Sequence, residues 1–178
     1  VIFTPTRIPD VFLIDIEPHA DERGFFARAW CEEEMRAHGL DARLVQCNLS
    51  YNSKRATLRG LHYQKAPHEE TKVVRCTAGE IHDVVVDLRP SSPAYRTWLG
   101  VELTSGNRRM LYVPHGVAHG FVTLTDATEV LYQMGTPYVA AAASGVRWDD
   151  PAFAIEWPLG PAVISERDRS FPFWEDVQ

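Results

Sequence analysis

The amino-acid sequence predicts an all-β protein built as a sandwich or barrel. Strand-like runs follow one another at short intervals, turn residues separate them, and no long helical periods alternate with them. Runs rich in Val, Ile, Leu, Thr and aromatic residues place strands at 11–16, 42–51, 57–64, 72–77, 80–88, 98–103, 110–113, 118–124 and 128–134. Residues 31–38, rich in Glu around Met35 and stopped by Gly39, form the best helix candidate, and it is short. Ser92-Pro93 and the Ser105 to Asn107 turn read as hairpin connections. The C-terminal third, with Trp148, Trp157, Phe171, Phe173 and Trp174, reads as an irregular tail that wraps the sheet edges. No repeat, linker or low-complexity tract divides the chain, so residues 1–178 are expected to form one domain.

A chain of 178 residues, 45% of them hydrophobic, can enclose a full core. No run is long and apolar enough to span a bilayer, so a membrane is not an expected partner. The first residues lack the basic segment and long apolar run of a secretory signal. The three cysteines, Cys31, Cys47 and Cys76, are odd in number and show no CxxC spacing, which suggests neither a disulfide framework nor a zinc ribbon and fits a reducing cytoplasm. A net charge of −6 and the lack of a basic stripe argue against nucleic acid as a partner. A few arginines can still dominate the potential inside a cleft.

Alternate side chains of a strand share a face. In 42–51, Gln46, Asn48 and Ser50 therefore point one way and Cys47, Leu49 and Tyr51 the other. On other strands single polar groups stand in apolar rows: Lys72 with Val74 and Cys76, Tyr132 with Val130 and Met134, His119 with Phe121 and Thr123, and Asp83 with Ile81 and Val85. Such groups are costly inside a protein unless paired, and several of them together indicate a ligand cavity. Strict alternation puts Arg59 and His62 on opposite faces, but Gly60 between them offers a bulge that resets the count.

Several strings in this order resemble the dTDP-4-dehydrorhamnose 3,5-epimerase family: Asp21-Glu22-Arg23-Gly24-Phe25-Phe26, Gln46-Cys47-Asn48-Leu49-Ser50, Leu58-Arg59-Gly60-Leu61-His62-Tyr63-Gln64, Gly79-Glu80-Ile81-His82-Asp83-Val84 and Ala118-His119-Gly120-Phe121. The likeness continues through Leu131-Tyr132, Tyr138, Arg147-Trp148-Asp149-Asp150-Pro151 and Ser165-Glu166-Arg167-Asp168, and so spans nearly the whole chain. It implies a cupin-like jelly roll of two antiparallel sheets with a few short helices, assembled as a homodimer. It also implies a dTDP-linked 4-keto-6-deoxyhexose substrate, converted from dTDP-4-dehydro-6-deoxyglucose to dTDP-4-dehydrorhamnose without cofactor or metal. By the same resemblance His62 is the base, Asp168 its carboxylate partner, Lys72 the group beside the sugar oxyanion and Tyr132 the acid. Arg23 and Arg59 contact the substrate, and Phe26, Gln46, Asn48, His119 and Tyr138 line its site. Two positions depart from the family pattern. Arg28 replaces a glutamate, which leaves the nucleobase open, and Pro114-His115-Gly116 replaces the usual turn.

The chemistry suits these residue types. A proton on a carbon next to a ketone becomes removable when the resulting charge can spread onto the ketone oxygen, and carbons 3 and 5 both flank carbon 4. An imidazole titrates close to neutrality and can take that proton. A carboxylate fixes its tautomer, a preorganised ammonium stabilises the enolate, and a phenol protonates the opposite face. Planar guanidinium groups suit a diphosphate. Other readings stay open: inversion at carbon 3 or carbon 5 alone on a related keto-sugar, a metal-dependent cupin using His62, His68, Glu70, His115 and His119, or a sugar-binding jelly roll without catalysis. Against the metal reading, position 64 is Gln where a HxH ligand pair needs His.

Overall fold

Strands that must bury both faces read as near-continuous apolar runs, and the run Val84, Val85, Val86 is one of these, with all three side chains fully buried. The computed structural model describes residues 1–176. Its strands are β1 (Ile2–Pro5), β2 (Phe12–Asp15), β3 (His19–Asp21), β4 (Gly24–Phe26), β5 (Gln46–Asn52), β6 (Thr57–Gln64) and β7 (Lys72–Ala78). They continue as β8 (Glu80–Asp87), β9 (Trp98–Thr104), β10 (Met110–Val113), β11 (Val117–Thr123), β12 (Thr128–Met134), β13 (Ala143–Gly145) and β14 (Val163–Ile164). The short helices are α1 (Glu32–Ala37) and α2 (Glu166–Arg169), with a 3-10 turn at Trp174–Asp176.

One six-stranded sheet runs β1-β2-β10-β7-β12-β5, and the other runs β13-β6-β11-β8-β9, with β14 added to β6 in parallel. The two sheets face each other in a cupin-like jelly roll. Between them Val74, Cys76, Leu111, Val113 and Val130 of the first meet Ile81, Val85, Leu103, Val117 and Phe121 of the second. The outer faces are covered too. Met35 of α1, with Leu40 and Ala42, packs on Ile14, Val73 and Met110 of the first sheet. Phe153 and Trp174 pack on Leu61, Val84, Val86 and Ala118 of the second. Among the described residues no helix is long and apolar enough to cross a membrane.

The strands lie within one to four residues of their expected bounds, and 57–64, 110–113 and 128–134 coincide with β6, β10 and β12. The short β1, β3, β4, β13 and β14 carry too few residues for a pattern of their own and were not foreseen. Two expectations need correction. The Ser92-Pro93 turn does join a hairpin, β8 to β9, but the Ser105 to Asn107 turn carries the chain from β9 in one sheet to β10 in the other. The C-terminal tail does not only wrap an edge: its aromatics cover the outer face of the second sheet, because that face is apolar and needs a lid.

Phe121, fully buried between the sheets, is the largest side chain of that core. Phe121→Ala is expected to lower unfolding free energy by about 3–5 kcal/mol, read from urea midpoints. A loss under about 1 kcal/mol would mean that the sheets do not depend on this contact.

Candidate active site

The apolar core fills only part of the space between the sheets, and the rest is a cavity of about 280 Å³. Asn48, Arg59, His62, Lys72, His119, Tyr132 and Tyr138 all line it, together with Ser50, Gln64, Glu70 and Arg167. His62 and His119 come from the second sheet, on the neighbouring strands β6 and β11. Lys72 and Tyr132 come from the first, on β7 and β12. An imidazole and a phenol therefore stand on opposite walls of one chamber.

Arg59 and His62 share that chamber because β6 is bulged. His119 pairs with His62 and Phe121 with Arg59, so Gly60 and Leu61 together oppose the single residue Gly120. Gly60 has φ +122, and a Cβ there would sit 2.5 Å from Gly120 Cα and 2.8 Å from the His119 carbonyl oxygen. Only glycine fits. The Gly60 N–H donates to Asp168 Oδ2 at 3.1 Å, and His62 Nε2 donates to Asp168 Oδ1 at 2.7 Å. A carboxylate can only accept, so the His62 proton is on Nε2 and the lone pair is on Nδ1.

Asp168 is brought there by α2, whose N-cap Ser165 accepts from the Asp168 N–H. Its side chain is 6% exposed, against 41% for His62, so the carboxylate sits behind the imidazole and does not line the cavity. Burial alone would raise its pKa. The hydrogen bond and charge of His62, with the Gly60 N–H and Ser165, outweigh that and hold it below the usual carboxylate range.

A second pair lies beside the first. His119 Nε2 donates to Asp83 Oδ1 at 2.7 Å, with both side chains buried, and the His119 ring meets Tyr132 edge-on with centroids 5.9 Å apart. Burial pushes the Tyr132 phenol well above its ordinary pKa, and the Asp83 carboxylate adds to this. On the same sheet as Tyr132, Lys72 Nζ lies 2.6 Å from Glu70 Oε1 and donates to the His62 carbonyl at 3.2 Å.

At the mouth, Arg59 Nε donates to Asn52 Oδ1 at 2.7 Å, which fixes the guanidinium on β5. Gln46 does not line the cavity. It donates to Asn48 Oδ1 at 3.0 Å and accepts from the Tyr138 N–H at 3.1 Å, while Gln64 accepts from the Val139 N–H and donates to the Pro137 carbonyl. Two glutamines thus clamp the segment that carries Tyr138. Arg23 and Phe26 stay outside the cavity of their own chain, on the β3–β4 hairpin, where Arg23 pairs with Asp21 and Phe26 is 79% exposed. Arg28 pairs with Glu34 on the surface, and exposed His115 lies away from the cavity.

Glu70, Arg167 and Gln64 were not assigned to the substrate site from the sequence. Gln64 stood within the Arg-Gly-Leu-His-Tyr-Gln string and Arg167 beside Asp168, so motif position was the signal available for both. The alternative metal-ligand set is not assembled. Glu70 engages Lys72, His62 and His119 each engage a carboxylate, and among the described residues no three His, Cys, Asp or Glu side chains converge as ligands.

Two facing antiparallel sheets around a chamber furnished with histidine, phenol and ammonium define a jelly-roll protein of the cupin type with an interior polar site. A sequence model of the family described as dTDP-4-dehydrorhamnose 3,5-epimerase matches residues 5–176, and the chain belongs to that family. The dTDP-4-dehydrorhamnose 3,5-epimerase of Shigella flexneri is 41% identical over 164 residues, 92% of this chain and 90% of the relative. The crystal structure of dTDP-4-dehydrorhamnose 3,5-epimerase from Bacillus anthracis, with TDP and PPi bound, superposes with TM-score 0.93 at 39% identity over 97% of this chain and 98% of that one. The dTDP-6-deoxy-D-glucose-3,5-epimerase of Legionella pneumophila, in complex with dTDP-4-keto-L-rhamnose, superposes with TM-score 0.92 at 34% identity, over 99% and 94% of the two chains.

Asp168 is held ionised, so its contribution to stability is full above the ordinary carboxylate pKa of about 4 and is lost as pH falls through its lower folded value. The stability gap between wild type and Asp168→Asn, read from urea midpoints, is expected to be widest near neutral pH and to narrow below about pH 4. A gap independent of pH would show that the carboxylate charge is not what His62 and Gly60 stabilise.

Proposed function

We propose that this protein epimerises a dTDP-linked 4-keto-6-deoxyhexose at carbon 3, carbon 5 or both, turning dTDP-4-dehydro-6-deoxyglucose into dTDP-4-dehydrorhamnose. One observation carries the reading: the His62 imidazole and the Tyr132 phenol line the same cavity from opposite sheets. Inversion needs this, since one group removes a proton from a face of the sugar and another returns a proton to the reverse face.

His62 Nδ1 takes the proton from the carbon beside the ketone, and the charge passes to the carbon 4 oxygen. The imidazolium that forms is stabilised by Asp168, already ionised behind it. The Lys72 ammonium, pinned by Glu70 and the His62 carbonyl, offers its remaining N–H to the enolate oxygen. Collapse of the enolate draws the phenolic proton of Tyr132 to the opposite face. The raised pKa keeps that proton in place until the carbon takes it.

The cavity is near the lower end of small-ligand clefts, about 300 Å³, and so takes the sugar ring rather than the whole nucleotide sugar. The diphosphate then lies at the mouth against Arg59 and Arg167, with Asn48 and Tyr138 beyond it. The reaction belongs in the cytoplasm, in keeping with three free cysteines.

The protein works as a homodimer. Leu49 and Tyr51 of the sheet-edge strand β5 are 65% and 62% exposed, and the β3–β4 hairpin carries exposed Phe25 and Phe26. Apolar groups left in water on an open edge call for a second copy. A hairpin reaching across such an interface brings Arg23 and Phe26 to the partner's cavity, where they complete the diphosphate and base site.

With dTDP-4-keto-6-deoxyglucose in deuterated water, NMR is expected to show solvent deuterium entering at carbon 3 or carbon 5. His62→Ala should slow this by at least about a hundredfold with the fold intact, the ordinary worth of a general base. Tyr132→Phe should retain exchange while losing net inversion. No exchange by wild type, or normal turnover by His62→Ala, would refute the mechanism. Mixing inactive Arg23→Ala and His62→Ala subunits should restore roughly a quarter of wild-type activity, the share of intact sites in a random dimer mixture. No recovery after demonstrated subunit exchange would place Arg23 outside the site.

A further inference from the structure

Tyr138 lines the cavity from the stretch that joins β12 to β13, and it is 56% exposed. The N–H groups of Tyr138 and Val139 go to side chains rather than to a strand, the first to Gln46 Oε1 at 3.1 Å and the second to Gln64 Oε1 at 2.6 Å. Gln64 Nε2 donates to the Pro137 carbonyl at 3.3 Å. One side-chain amide thus grips the residue before Tyr138 and the residue after it. The same Nε2 donates to the His68 carbonyl at 2.9 Å, in the loop between β6 and β7. Only a carboxamide puts an acceptor and two donors in one planar group, so an acid, an ammonium or an apolar side chain could not make these three contacts.

The two glutamines differ in how firmly they hold. Gln64 is 5% exposed, at the end of β6 where it pairs with Ala143 of β13, so water does not compete for its bonds. Gln46 is only half-buried. Pro137 adds a fixed φ on the N-terminal side of Tyr138. The backbone that carries the ring is therefore set before a ligand arrives, and a group set in advance loses less conformational freedom on binding. On the epimerase reading, on which this inference rests, the cavity takes the sugar and the nucleotide lies outward, where the Tyr138 ring is exposed. We propose that Gln64 is a positioning residue for nucleotide binding: its amide fixes the backbone on both sides of Tyr138 and so holds the ring in place against the nucleotide. Gln64 acts through Tyr138 and makes no nucleotide contact of its own.

The test measures TDP dissociation constants by calorimetry for wild type, Gln64→Met, Tyr138→Ala and the double variant. Tyr138→Ala is expected to weaken TDP at least about fivefold, the low end for an aromatic ring on a base. Gln64→Met is expected to weaken it by at least about fivefold as well. In the Tyr138→Ala background the same methionine substitution changes Kd by less than about twofold, because the ring that Gln64 positions is gone. Gln64→Glu decides the matter if the methionine variant does not fold: it keeps the side-chain length and the acceptor for Val139 but loses the donors to Pro137 and His68, and the same dependence on Tyr138 is expected. A general structural role weakens TDP equally with and without the Tyr138 ring. That result, no loss from either Gln64 variant, or a Tyr138→Ala protein that binds TDP as tightly as wild type overturns the inference. Where wild type still takes up solvent deuterium into the keto-sugar, the epimerase reading stands apart from that failure. A wild type that neither binds TDP nor exchanges deuterium overturns both.

Discussion

The site depends on the bulge at Gly60. A regular β6 would send Arg59 and His62 to opposite faces, placing one of them in the apolar layer under Phe153 and Trp174. Slipping the register by one residue at Gly60 brings both to the chamber, and the closeness of Gly120 leaves no room for a side chain at the slip. The bulge also turns the Gly60 N–H away from the ladder and towards Asp168 Oδ2, so one carboxylate holds the strand irregularity and the imidazole together. Backbone geometry and the orientation of the imidazole share a single anchor, which comes from a segment more than a hundred residues downstream in the chain.

Much of this was legible in the sequence because two-residue periodicity survives on the long strands. Lys72, Tyr132, His119 and Asp83 each broke an apolar row, and all four rows do face the interior. The row of Gln46, Asn48 and Ser50 is instructive for the opposite reason. Taken alone, a polar row beside Leu49 and Tyr51 suggests polar groups out and apolar groups in. Instead Asn48 and Ser50 line the chamber, Leu49 lies exposed at its rim, and Tyr51 is exposed outside it. Alternation gives the two faces of a strand without saying which is inner when the interior is itself polar.

Less legible were the pairings that depend on side chains from different elements. Nothing near Glu70 in the sequence marks it as the partner of Lys72, since a loop has no periodicity and an exposed Glu-Glu pair reads the same as a buried one. Gln46 illustrates the same limit: it belongs to a recognisable motif, yet it acts by clamping the Tyr138 segment and orienting Asn48 rather than by lining the cavity. Short strands such as β13 and β14 exist because β6 offers them an open edge, and only the assembled sheet contains that information.

The distribution of charge explains how an acidic protein can hold an anionic ligand. Inside the roll every carboxylate near the chamber is matched: Asp168 with His62, Asp83 with His119, and Glu70 with Lys72. Only the Lys72 ammonium brings a permanent opposite charge to its acid; the imidazoles give Asp168 and Asp83 a hydrogen bond, and a His62 with a free Nδ1 lone pair carries no charge to offset its carboxylate. What remains towards the mouth is Arg59, tied by a neutral amide rather than an acid, and Arg167, stacked over Phe171. Among the described residues neither pairs with a carboxylate, so both keep an unmatched positive charge at the entrance although the chain as a whole carries −6. In the proposed complex these guanidinium groups meet the anionic group at the rim, and the neutral sugar ring lies inward among the hydrogen-bonding groups of the chamber.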